Sequence, residues 1–153
     1  MPDQKGRLPL LVRLNPATLE RTKRGAITGK ISLSYGETYF PDRDWSDFPV
    51  VILGWWLRAL GTLMAGASDA LFRFMDGPFE YVVTASDSGW AVSLMNNTDS
   101  RVVAAEGPID QVAFKESLLS CADQLLRACR ERGWETDADR AELATALHDL
   151  TVT

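Results

Sequence analysis

Residues 48–67, FPVVILGWWLRALGTLMAGA, are the least polar stretch of the chain and leave it the fewest choices. The segment is close to the length that spans a bilayer. One charge, Arg58, sits near its middle, where membrane insertion costs about 2.5–3.5 kcal/mol. Pro49, Gly54 and Gly61 dilute the apolarity further, and no second stretch of this kind occurs. The segment therefore reads as a helix buried in the core of a soluble domain. Trp45, Phe48, Ile52, Trp55, Trp56, Ala59, Leu60 and Leu63 recur at helical spacing, with Asp47, Gly54, Arg58 and Thr62 as a thinner polar stripe. Asp44 is placed to cap this helix, and Asp47 to meet the positive end of its dipole, which predicts a helix from about Asp44 to Met64.

A helix that apolar needs partners, and the flanking sequence supplies strands. LPLLVRLN reads as a first strand, and Asn15–Pro16 as a helix start leading to a short helix or turn as far as Gly25. Residues 27–35 alternate, with Ile27, Ile31, Leu33 and Tyr35 on one side and Thr28, Lys30, Ser32 and Ser34 on the other. Four further strand-like runs, at 70–75, 79–86, 89–96 and 101–106, are separated by turn-forming residues short enough to imply an antiparallel meander. Asp110 opens a long helix with Phe114, Leu118, Cys121, Ala122, Leu125 and Cys129 on its apolar side, closing at Gly133 with Trp134 packed back. Thr136 and Asp139 form a capping pair for a last helix carrying Leu143, Leu147 and Leu150. The expectation is one α+β domain over 1–153: an antiparallel sheet of about five to six strands, packed on one face by a central Trp-rich helix and two C-terminal helices.

At 46% hydrophobic and 24% charged residues the chain has a globular composition, not a disordered one. The first residues lack the pattern of an export signal, and the two cysteines, Cys121 and Cys129, fall within one predicted helix, which makes a disulfide framework implausible. The cytoplasm is the expected compartment. The formal charge is −5, yet residues 1–30 hold seven Lys or Arg against two acids, while residues 31–153 hold nine against nineteen. A net negative field repels phosphates, so no nucleic-acid partner and no membrane partner is expected, and a basic protein surface is the natural complement. The oligomeric state stays open.

Little in the sequence carries chemistry. The lone histidine, His148, lies at the end of the last predicted helix, a poor place for a catalytic base. Cys121 and Cys129, eight positions apart, share a broad helix face without metal-pair spacing. Neither GxGxxG nor GxxxxGK[ST] occurs. The reading is a non-enzyme with no catalytic, cofactor-binding or metal site. The densest polar constellation is GETYFPDRDWSDFP, where Glu37, Asp42, Asp44 and Asp47 are mixed with Tyr39, Phe40 and Trp45. Aromatic anchors beside carboxylates suit a protein interface, which makes Glu37, Tyr39, Asp42, Asp44 and Asp47 the candidate partner-binding residues. Capping by Asp44 and Asp47, and a staple of Phe40 on Trp45, are the structural alternative. Glu135, Asp137, Asp139 and Glu142 form a second acidic group, and Arg21, Lys23 and Arg24 a basic one.

Over residues 37–106 the segments YFPDRDWSDFPVVILGWW and FMDGPFEYVV resemble small bacterial immunity proteins encoded beside polymorphic or contact-dependent growth-inhibition toxins. That resemblance implies a cytosolic α+β domain that binds a cognate toxin domain, commonly a nuclease, and occludes its active site or substrate cleft. It supplies no catalytic residues. Two other classes compete: a small-molecule-binding or enzymatic domain with a pocket between sheet and helices lined by Trp55, Trp56 or Trp90, and an oligomeric scaffold subunit.

Overall fold

The alternating run at 27–35 forms a strand, β2 (Ile27–Tyr35), in the middle of an antiparallel sheet. The structure, a computed structural model, describes residues 7–98, 102–134 and 138–151. β1 (Leu10–Arg21) pairs along one side of β2; the short strands β3 (Thr38–Phe40) and β4 (Ser46–Asp47) pair along the other. The helix expected to start at Asn15–Pro16 does not form. The strand instead runs through these residues, with its register shifted between Asn15 and Glu20. Asn15 does cap, but it caps a turn: its side-chain oxygen accepts from Ala17 N at 3.1 Å, and Thr18 Oγ1 donates to Asn15 O at 2.7 Å. Lys30 N donates to Thr18 Oγ1 at 2.9 Å, so the hydroxyl stands in for a backbone acceptor where the ladder is interrupted.

After the apolar helix, β5 (Asp69–Arg73), β6 (Phe79–Ser86), β7 (Gly89–Asn96) and β8 (Val102–Ile109) form the expected antiparallel meander in chain order. The fold is thus α+β, with its strands divided between two four-stranded sheets. The sheets are tied at one corner. Leu8 N donates to Pro108 O and Asp110 N to Leu8 O, each at 3.3 Å, and Tyr35 Oη donates to Pro108 O at 3.0 Å. The phenol fits because Gly107 carries no Cβ, which would collide with the Tyr35 hydroxyl.

The apolar segment is helix α1 (Pro49–Met64), starting at Pro49 rather than Asp44. Proline disfavours helical geometry in the residue before it and is itself suited to the first helical position. Phe48 is accordingly the N-cap, at φ −107° and ψ 83°. Released from the helix, Ser46 and Asp47 pair with Lys30 and Gly29. Ile52, Leu53, Trp56, Leu57 and Leu60 are buried, while Trp55 and Arg58 are exposed. Among the described residues no helix is long and apolar enough to cross a membrane.

Helix α2 (Gln111–Glu131) begins as expected, Asp110 accepting from Ala113 N at 3.1 Å, and stops before Gly133, whose φ is +73°. It closes the outer edge of β1: Val12 N donates to Ser117 Oγ at 3.0 Å, and Cys121 Sγ donates to Val12 O at 3.2 Å. Side chains of a helix thus occupy backbone groups that would otherwise template strand addition. Helix α3 (Ala138–Thr151) packs on α1 through Leu143 and Ala146, with His148 exposed in its last turn. Thr136, Glu135 and Asp137 lie outside the described residues. One apolar cluster runs through both sheets and all three helices, with Phe72 stacked on Tyr81 at 4.7 Å and Phe114 edge-on to Phe72 at 5.7 Å.

Burial pushes the Cys121 thiol up from 9.0 to about 11, and raises the Tyr81 phenol well above its usual value. Both groups keep their protons longer in the folded chain than in the unfolded one. For Cys121 the contribution is therefore whole below pH 9 and is lost as pH rises from about 9 through about 11, while that of Tyr81 is whole below pH 10 and is lost only at higher pH. For Cys121 alone this amounts to roughly 2–3 kcal/mol. Urea titrations from pH 8 to 11 should show this fall, and Cys121→Ala should flatten it; equal slopes in the two proteins would contradict the assignment. Tyr81 Oη is wholly buried without a hydrogen-bond partner among the described residues. Tyr81→Phe should therefore leave stability unchanged or raise it by about 1 kcal/mol, measured in the same titration.

Candidate functional site

The antiparallel register of the first sheet sends Val12, Leu33 and Phe40 into the core, which by alternation puts Arg13, Asn15, Lys30, Ser32, Ser34 and Tyr39 on the outer face. Arg13 stands opposite Ser32, Asn15 opposite Lys30, and Ser34 opposite Tyr39. Ser32 and Ser34 are nevertheless buried, 4% and 5% exposed, with Arg13, Leu11 and Tyr39 as their larger cross-strand neighbours. Tyr39 is in turn flanked by two cations. The Arg43 guanidinium lies 4.5 Å from its ring centroid and that of Arg13 5.9 Å away. Exposed cation–π contacts of this kind are worth about 0.5–1 kcal/mol each. Lys30 Nζ lies 3.6 Å from Asp44 Oδ1, an exposed pair that adds little stability but fixes the side of the site. Arg13, Asn15, Lys30, Ser32, Tyr39, Arg43 and Asp44, with Leu14, line an open cleft of about 290 Å³.

The loop 41–45, which supplies Arg43 and Asp44, is held from beneath. Ile31 N donates to Trp45 O at 3.0 Å and Trp45 N to Asp42 O at 3.3 Å. The Trp45 ring meets Phe79 edge-on at 5.0 Å, and its Nε1 donates to Asp47 Oδ2 at 2.9 Å. Asp47 also accepts from Phe48 N at 2.8 Å, Asp76 N at 3.1 Å and Met75 N at 3.3 Å.

Of the five candidate partner-binding residues, the structure brings Tyr39 and Asp44 into one cleft. Glu37 is exposed in the β2–β3 turn beside Gly36, and Asp42 is exposed on the loop. Asp47 is a correction: at 2% exposure it is an interior bracket and has no surface to offer a partner. The sequence reading also missed Arg13, Lys30 and Arg43. The first predicted strand contains Arg13, but nothing local in the sequence gives its partner or register, and so nothing sets Arg13 beside Ser32. Arg43 was hidden in a motif read for its acids.

Other candidates resolve into packing. Trp56 is fully buried, its Nε1 donating to Arg73 O at 2.8 Å, and Trp90 is 8% exposed with Lys115 Nζ 5.8 Å from its ring. Among the described residues no cluster of three or more His, Cys, Asp or Glu could hold a metal ion. Compared with protein-family models, curated proteins and solved structures, the chain matches none.

Asp47 sits under the site without belonging to its surface, and mutation should separate the two roles. Asp47→Ala strands four donors and should cost about 3–5 kcal/mol of stability. Tyr39→Ala loses two cation–π contacts and should cost about 1–2 kcal/mol. Urea denaturation of both variants tests this; a mild Asp47→Ala would mean that the four hydrogen bonds do not anchor the loop.

Proposed function

We propose that the chain acts by binding a protein partner across the outer face of the β1–β2–β3 sheet, and that this partner is a bacterial toxin domain, held inactive by occlusion of its active site or substrate cleft. The observation that carries the binding half is the presentation of Tyr39 on an open face with Arg13 and Arg43 packed against its ring. Tyrosine and arginine are the side chains most often found to dominate interface energetics, because they offer large, stiff contact area with polar edges. A residue already held by its neighbours loses little freedom on association.

The toxin half is supported by the resemblance of residues 37–106 to immunity proteins and by the formal charge of −5, which draws in a domain whose own cleft is built for phosphate. Glu37, Asp42 and Asp44 are exposed around Tyr39, where they can meet basic side chains at the rim. Rim charges act chiefly on association rate and partner choice, which is what an inhibitor of a lethal enzyme requires.

Co-expression with the toxin domain of the neighbouring gene provides the test. Wild-type protein should restore growth and co-purify with the toxin. The double variant Asp42→Lys, Asp44→Lys should bind at least about tenfold more weakly at an unchanged melting temperature, mostly through slower association. A wild-type chain that neither protects nor co-purifies would remove the toxin from the proposal; a double variant of undiminished affinity would remove this face.

A further inference from the structure

Two arginines converging on one tyrosine ring are unexpected in a chain of net negative charge. Arg13 comes from β1, Lys30 from β2 and Arg43 from the loop after β3, so three separate segments deliver cations to one cleft. Like charges brought together repel, and an open site that gathers them is completed by an anion. Among the described residues Asp44 pairs with Lys30. The Arg13 and Arg43 guanidiniums lie 5.9 and 4.5 Å from the Tyr39 ring centroid, and both side chains are exposed and make no ion pair among the described residues, so their N–H groups are open to a ligand. The guanidinium fork matches a carboxylate in two parallel hydrogen bonds.

We infer that the cleft is a receptor for an acidic side chain, an Asp or Glu projecting from the protein partner. This rests on the partner-binding reading above and deepens it by setting the polarity of the contact. The partner's carboxylate is met in the cleft by the guanidiniums of Arg13 and Arg43, and its basic residues meet the exposed Glu37 and Asp42. Asp44 sets the preference within the cleft. Its carboxylate next to Lys30 disfavours a dianionic phosphate or a phosphate chain far more than a single carboxylate, and the negative net charge works in the same direction.

The test uses the full chain and needs no cognate partner. Arginine Nε–Hε signals are followed by NMR while three probes are added: a capped hexapeptide with two adjacent glutamates, its glutamine counterpart, and a single-stranded thymidine oligonucleotide. The Arg13 and Arg43 signals should move with the glutamate peptide, in the millimolar range, and stay still with the glutamine peptide. Arg13→Gln and Arg43→Gln should each weaken binding by about tenfold while the melting temperature holds. Arg43→Gln lies on a loop and keeps the test valid if the β1 variant is poorly folded. No shift with any probe, equal shifts with both peptides, or tighter binding of the oligonucleotide would each overturn the assignment. Peptide binding without toxin capture would sink the toxin reading alone. Toxin capture undiminished by the two arginine variants would sink only the carboxylate receptor.

Discussion

The molecule depends on a carboxylate placed where carboxylates are costly. Asp47 is almost fully buried, and a buried charge costs several kcal/mol unless its lone pairs are met. Here four donors meet it, from Trp45, Phe48, Met75 and Asp76. Two of them, Trp45 and Phe48, flank it just ahead of α1, and two come from the turn after β5. One side chain therefore fixes where the apolar helix begins, where the second sheet turns and where the loop bearing Arg43 and Asp44 sits. The aromatic chain from Trp45 to Phe79, Phe40 and Phe74 follows the same seam between the sheets, each pair edge-on at 5.0 to 6.0 Å. The polar bracket sets the geometry, and the rings fill the space around it.

The way the first sheet is closed decides how a partner can approach. The outer edge of β1 is capped along Val12 by Ser117 and Cys121 of α2, so a visiting strand cannot extend the sheet there without displacing a helix. The Cys121 thiol, raised by burial, remains a neutral donor to Val12 O across the physiological range. What remains open on this sheet is its outer face, where Tyr39 and the arginines stand. The recognition proposed for that face proceeds through side chains meeting side chains.

The periodicities legible in the sequence were those set by local burial. The meander at 79–96 and the helices α1 and α2 follow from alternation and from helical spacing, because each residue's environment there depends on neighbours a few positions away. The division into two sheets was not legible, since it depends on Tyr35 reaching Pro108 and Leu8 reaching Ile109, contacts between distant parts of the chain. Asn15–Pro16 and Asp44–Asp47 misled for a shared reason: both are capping chemistry, and the same side-chain oxygens serve a turn, a bulge or a buried bracket as readily as a helix. Pro49 was the usable signal against a helix from Asp44. Of the site, Tyr39 and Asp44 were legible from composition alone; Arg13, Lys30 and Arg43 were not, because only the strand register brings them together.

That register also changes the meaning of the charge distribution. Counted along the chain, the basic residues of the first thirty positions look like a segment distinct from an acidic body. Folded, Arg13 and Lys30 join Arg43 in one cleft with Asp44, and Glu37 and Asp42 are exposed as they are, while Arg21, Lys23 and Arg24 lie at or near the far turn of the β1–β2 hairpin. Screening limits each charge to a reach of about 8 Å in physiological salt. A distant partner is met by the net charge of −5, whereas a docked one meets the cations at short range. On the binding proposed above, long-range attraction and short-range register therefore select for different charges on the same partner. A partner satisfying both carries an acidic residue within a basic surface, a stricter requirement than either charge sign alone, and the form that discrimination takes when it rests on electrostatics.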